Sequence, residues 1–227
     1  MDKQMQEYDK AIQYIYDMMQ EEKLSIGDRL PTERTIAEHL SISRNSTREA
    51  ISILHGMGMI ERRQGSGNYI SGDVDKSITR MIQMMLALNS TTKEDICSFR
   101  RHMDKAICSA VMETGVSVDW KEEMLTLLEE MDVEDRKQVA RVDKAFHLQL
   151  IAATRNPFWI TVMEAVVEVY RNWIDIVIEN ASEEIRQDLL RIHKEIFHSI
   201  VDNDMDACMK AIDVHYDVIE YMISKED

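Results

Sequence analysis

The sequence predicts a mainly α protein built in two parts, and three observations predict it. The 227 residues include only 2 Pro and 7 Gly, few breakers for a chain of this length. Gly56, Gly58, Gly65, Gly67 and Gly72 cluster in one short stretch with alternating Tyr and Ile, which reads as turns and short strands. Beyond that stretch the strongest apolar patterns are helical, at spacings of three and four.

Residues 5–22 read as the first helix, with Tyr8, Ile12, Ile15 and Met19 on one apolar stripe. Leu30-Pro31-Thr32 starts a second, with Thr32 as N-cap and Ile36, Ala37 and Leu40 as its apolar face. The turn Ser41-Ile42 leads to Ser43, a second N-cap. A third helix then runs to about His55 and buries Thr47, Ala50, Ile51 and Leu54. Two helices joined by so short a turn make a helix-turn-helix. Residues 57–63, 64–67 and 68–71 read as strand, Gly turn and strand, a hairpin wing behind the third helix. Residues 73–76 read as a linker. Helices follow at 77–89, 92–114, 118–131, 134–154, 157–180, 182–202 and 204–224, with Asn156-Pro157 and Ser182 as capped starts. The expected domains are therefore 1–72, a winged helix-turn-helix, and 77–227, an all-helical antiparallel bundle. The Met81, Met84, Met85 row, with Ile78, Ile82 and Leu88, reads as core packing.

The net charge of −15 opposes DNA binding only on average. Residues 1–72 carry 9 basic and 11 acidic groups, and the other 155 carry 18 and 31. The acid excess is thus mainly C-terminal, where it suppresses non-specific attraction to phosphates without forbidding a local Arg face. No apolar run reaches the roughly 18–20 residues that span a bilayer, and residues 1–10 are too polar for a secretory signal. Cys97, Cys108 and Cys208 lie in helical patterns as an odd set, which suits buried thiols in a reducing compartment. The expected location is the cytoplasm.

Arg44 and Arg48 stand one turn apart at the start of the third helix, on the side away from its core face. Arg offers fork donors for guanine edges and phosphates, and Ser43, Asn45 and Ser46 beside them suit phosphate oxygens. Arg34 could reach the same groove from the second helix, and Gln64-Gly65 at the hairpin tip suits close approach to a minor groove. Two Arg at a spacing of four are, taken alone, an ordinary solvated face. The capped helices before them and the Gly-turn hairpin behind them carry the DNA reading.

Residues 30–70, LPTERTIAEHLSISRNSTREAISILHGMGMIERRQGSGNYI, resemble the GntR family of bacterial regulators. The resemblance lies in Pro-x-Glu-Arg, Ser-Arg-x-x-x-Arg, Leu-x-x-x-Gly and the Gly-x-Gly turn. Thr47 stands at a position usually aliphatic, and Asn68 at one that is often Thr. The resemblance implies a homodimer on operator DNA, with Arg34, Arg44 and Arg48 in contact and Ser43, Ser46, Gln64 and Gly65 alongside.

Asp143 and His147 share one helix face, and His193 and His215 lie on two later helices. An Asp and three imidazoles converging in a bundle can hold a divalent metal, and imidazole-rich ligation favours zinc, nickel or manganese over magnesium or calcium. Widely spaced His alone are more often plain helix residues. Residues 77–224 resemble the FCD ligand-binding domain of the FadR-like GntR subgroup, whose Asp-x-x-x-His, His and His fall at these positions. That resemblance implies a small organic acid bound beside the metal, with Arg100 facing the cavity as a bidentate carboxylate partner. Asp104 stands where the family more often has Glu. A surface ion pair of Arg100 with Asp95 or Asp104 is the competing reading, and a shifted register would turn Arg101 inward instead. The expected function is a regulator whose operator binding follows a carboxylate effector, and no catalytic residue is assigned. A regulator that senses the metal itself, or a metal-dependent hydrolase, are the alternatives. The hydrolase lacks a marked base or nucleophile.

Overall fold

The computed structural model describes residues 5–21 and 23–225. Residues 1–4, 22 and 226–227, into which the expected first helix and both expected domains run, lie outside the described residues. The chain divides into two compact units, Met1–Ile78 and Thr79–Asp227.

In the first unit α1 spans Glu7–Gln20, α2 Glu33–Leu40 and α3 Arg44–Gly56. Thr32 and Ser43 cap α2 and α3 as expected, each accepting from the backbone N–H three residues on. Ser41 takes the left-handed conformation (φ 52°), which makes the turn between them tight. Ala11, Ile15, Ile36, Ala50, Ile51 and Leu54 form the core of this unit, and Thr47 is fully buried with them. Tyr8, Ile12 and Met19 of the expected α1 stripe pack partly buried against it. The hairpin is β1 (Ile60–Arg63) and β2 (Gly67–Ile70), antiparallel with Ile60 opposite Ile70.

The strand expected from 57 starts three residues later. Gly58 adopts φ +72°, and a Cβ there would stand 2.2 Å from the Asp73 carbonyl oxygen. The backbone thus turns at Gly58 against a second segment, a geometry open to glycine alone.

The expected linker is a helix instead. α4 spans Val74–Ala87, and the division between the units falls inside it. No Gly or Pro interrupts residues 73–78, and Lys76 pairs with Asp73 across its first turn. The methionines of α4 are not core either. Met81, Met84 and Leu88 are 65%, 60% and 69% exposed, and no α4 residue is buried. Only Ile82 and Leu86 pack against the core of the second unit.

That unit contains α5 (Lys93–Thr114), α6 (Val118–Met131), α7 (Arg136–Ala153), α8 (Pro157–Asn180), α9 (Glu183–Asp202) and α10 (Met205–Ile223). Their boundaries follow the sequence reading within about two residues. Asn156 caps α8 by accepting from Phe158 and Trp159 N–H, and Pro157 fills the position that needs no donor. α9 packs on α10, α6 and α7 on each other, α7 on α8, and α5 on α10. The core holds Val111, Met124, Phe146, Ile151, Met163, Ile192, Ile212 and Tyr216, each almost fully buried.

Removing core volume is expected to cost far more than removing a cap. Ile151→Ala should lower unfolding stability by about 2–5 kcal/mol, and Asn156→Ala by about 1 kcal/mol. Chemical denaturation of the two variants measures both.

Candidate nucleic-acid interface and metal centre

Along the α3 face, Arg44 and Arg48 are exposed, as is Arg34 on α2. Arg48 Nε lies 3.2 Å from Glu33 Oε2, and Arg34 Nε 2.7 Å from Glu38 Oε1. Exposed pairs of this kind contribute about 0–1 kcal/mol, so a phosphate or a guanine edge can replace the glutamates. Gln64 and Gly65 stand exposed at the hairpin tip, with Gly65 at φ +70°. Arg63 lies over the Tyr69 ring at 4.2 Å, and Arg62 donates to Ser52 Oγ at 2.6 Å.

Ser43 and Ser46 have a partner within the chain. Glu7 of α1 accepts from the Ser43 backbone N–H at 3.0 Å and from Ser46 Oγ at 2.8 Å. Its carboxylate thus occupies the first turn of α3, where helix N–H groups favour an anion. The Ser43 backbone donor, then the Ser46 hydroxyl, hold Glu7 below the usual carboxylate range. Sequence reasoning missed Glu7 because the contact spans 36 residues and leaves no local spacing signal.

In the second unit four side chains converge. Asp143 and His147 project from one face of α7, His193 from α9 and His215 from α10. One ligand atom from each lies within 4.8 Å of the others. Ligands around a shared ion at about 2.1 Å stand roughly 3–4 Å apart, so a small contraction closes the set. His147, His193 and His215 are buried and Asp143 partly so. His193 Nδ1 lies 2.8 Å from the Leu189 carbonyl oxygen, which leaves Nε2 facing Asp143 Oδ1 at 3.2 Å. His147 Nδ1 stands 3.3 Å from Asp104 Oδ2, which turns its Nε2 toward the same centre. The first is the outer support that metal-ligating imidazoles use; the second is a close approach in which His147 Nδ1 makes no hydrogen bond.

His215 is the sharpest indicator. Neither of its ring nitrogens has a hydrogen-bond partner, although the residue is 3% exposed. A buried polar atom left so costs about 1–3 kcal/mol, and a metal ion would satisfy one of the two. Burial, and then the neighbouring imidazoles, hold His215 well below the usual imidazole range, so its lone pair is free. Burial would raise Asp143, but His193 and then His147 outweigh it and keep the group a carboxylate. The donor set fits a divalent ion.

Arg100 is buried beside Asp104, whereas Arg101 is turned outward. The Arg100 side chain is 3% exposed, lies 3.3 Å from Asp104 Oδ2 and stacks over Tyr170 at 4.6 Å. Its Nε is buried without a partner. The pair with Asp104 is therefore a core contact, not a surface one. Tyr216 donates to Asp104 Oδ2 at 2.6 Å. Arg101 turns outward to Asp213, Asp217 and Glu220 of α10. A narrow cavity of about 10 Å³ reaches Asp143 and His193 between Met131, Ile178 and Arg186. A larger open groove of about 580 Å³, along Val177, Ala181, Ile185 and Tyr221, contains none of the four ligands.

Residues 7–70 match the bacterial regulatory proteins of the gntR family, and residues 95–218 match the FCD domain. The chain belongs to the gntR family. Its gntR-family relatives include the HTH-type transcriptional regulator LutR of Bacillus subtilis (strain 168), 24% identical over 91% of this chain and 96% of that protein. The Uxu operon transcriptional regulator of Escherichia coli (strain K12) is 23% identical over 94% and 85%. The Glc operon transcriptional activator of the same organism is 23% identical over 78% and 73%. The solved structure of Streptococcus agalactiae GntR shares the fold, with a TM-score of 0.72 at 21% identity over 93% of this chain and 98% of that one. This gntR-family chain is a DNA-binding transcriptional regulator with an FCD effector domain, not the hydrolase entertained above. Among the described residues no helix is long and apolar enough to cross a membrane.

The Glu7 contact makes a checkable statement about DNA binding. Glu7→Gln removes a negative charge from the start of the reading helix while keeping an oxygen that can accept from the Ser43 N–H. It is expected to tighten binding to any duplex by roughly three- to tenfold at low salt, with sequence preference unchanged. Fluorescence anisotropy on operator-like and random duplexes reads both effects.

Proposed function

We propose that the FCD unit binds a small carboxylate effector beside a divalent metal, zinc in the first instance, and that this binding controls how a cytoplasmic homodimer holds its operator. Asp143, His147, His193 and His215 would hold the ion. Arg100 would pair with the carboxylate. The reading rests on one observation above all: three buried imidazoles and a carboxylate meet, and His215 has both nitrogens unpaired among the described residues. A bound ion would supply a fixed positive charge at which an acid oxygen is favoured. Arg100, anchored by Asp104 and Tyr170, brings a guanidinium to the same place without having to order a flexible chain. In the reading unit Arg34, Arg44 and Arg48 would contact the operator, with Gln64 and Gly65 at the hairpin tip. Ser43 and Ser46 would reach phosphates only after Glu7 moves.

A metal-sensing regulator is the second reading, favoured by the narrowness of the cavity beside the cup. The two differ in what stabilises the protein. Under the effector reading, carboxylates raise the melting temperature of the zinc-loaded protein and leave the chelated protein unmoved. Under the sensor reading the metal alone does so, and no carboxylate adds to it.

Three outcomes are expected. Metal analysis of the purified protein should find about one ion per chain, and His215→Ala should lose it. Carboxylate stabilisation should vanish in Arg100→Gln with metal content unchanged. Arg44→Ala and Arg48→Ala should each weaken operator binding by about 1–3 kcal/mol in a gel-shift titration. Unchanged operator affinity in both would overturn the reading-helix assignment.

A further inference from the structure

Arg186 stands on α9 seven residues before His193. That places the two residues on one stripe of the helix, two turns or roughly 10 Å apart along its axis. The Arg186 side chain is 10% exposed, and its Nε is buried with no hydrogen-bond partner. One terminal nitrogen is tied to Glu183. The other reaches the Glu134 carbonyl oxygen only weakly, at 3.4 Å. Together with Asp143 and His193 it lines the narrow cavity beside the cup, and the remaining wall is apolar: Met131, Val139, Ile178, Leu189 and Leu190. Arg186 is the only cation in that lining. Glu183 itself is 63% exposed, so its hold on Arg186 is the weak, replaceable kind.

We infer that Arg186 is a second anion anchor of the effector site, so that the effector is a short dicarboxylate with one end at the cup and Arg100 and the other at Arg186. This rests on the carboxylate reading above and adds a ligand class to it. A cavity of about 10 Å³ admits little more than one water molecule. Entry of the ligand therefore moves the Arg186 side chain, and the incoming carboxylate takes the guanidinium from Glu183. The helical spacing, less the reach of the Arg stem, suits a ligand of about four to six carbons. The competing role is a strap: Arg186 ties the start of α9 to the loop before α7 and touches no ligand.

Calorimetric titration of the full-length, zinc-loaded protein separates these. The probes are succinate, glutarate and adipate, each against the monocarboxylate of equal length. The wild type should bind the best dicarboxylate at least ~10-fold more tightly than its monocarboxylate, as expected for a buried charge-assisted contact. Arg186→Gln should abolish that preference and leave monocarboxylate affinity within about twofold, and Arg186→Lys should restore part of it. Glu183→Gln, which removes the competitor, should raise dicarboxylate affinity. Equal loss for both ligand classes in Arg186→Gln makes Arg186 a strap and sinks the inference, as does a wild type with no dicarboxylate preference. Should Arg186→Gln fail to fold, an unchanged dicarboxylate affinity in Glu183→Gln decides against it. Binding of neither class by the wild type, with zinc bound, removes the carboxylate reading itself.

Discussion

A carboxylate sits in the core of the helical unit, and the surrounding helices are arranged to keep it there. Asp104 is 5% exposed, and burial alone would favour its protonated form. Arg100 and His147, with the Tyr216 hydroxyl, reverse that and hold it well below the usual carboxylate range. These partners come from α5, α7 and α10, so one group constrains the register of three helices. Stripped of a partner, a buried ion of this kind costs about 3–5 kcal/mol, so a helix that slipped by a turn would be heavily penalised. The same carboxylate orients His147, and through it the face that Asp143, His193 and His215 complete.

The DNA-reading unit follows the opposite logic. Its core is wholly aliphatic apart from Thr47, whose hydroxyl donates to the Ser43 carbonyl at 3.2 Å. Its charged groups lie outside, in pairs weak enough to be exchanged for phosphates. Glu7 is the exception that joins the two roles. It steadies the start of α3 and at the same time sets an anion where DNA would place one. The two units thus differ in where they keep cations: Arg34, Arg44 and Arg48 are exposed in one, and Arg100 is buried in the other.

Most of the fold was legible because helices announce themselves locally. Thr32, Ser43, Asn156 and Ser182 are caps that work through contacts two or three residues away, and all four hold. The site was legible in part. Asp143 and His147 share a helix face by spacing alone, whereas His193 and His215 joined them only through resemblance to a domain family. Arg100 and Arg101 could not be told apart by pattern, since either can face inward on a helix with polar residues on both sides. α4 misled in both respects. Its apolar spacing is that of a core helix, yet the boundary between the two units falls inside it, and among the described residues Met81 and Met84 stay exposed.

The sequence by itself determined the element order, the helix starts, the Arg pair of the reading helix and the family, because each depends on neighbours within a turn or on motif spacing. The tertiary structure alone decided that Arg100 is the buried arginine, that Asp104 supports His147, that Glu7 occupies the start of α3 and that Arg186 lines the cavity beside the cup. Such facts rest on contacts between distant residues, as in the Tyr216–Asp104 bond across 112 positions. Contacts over such separations are set by how whole helices pack, and packing leaves no periodicity along the chain.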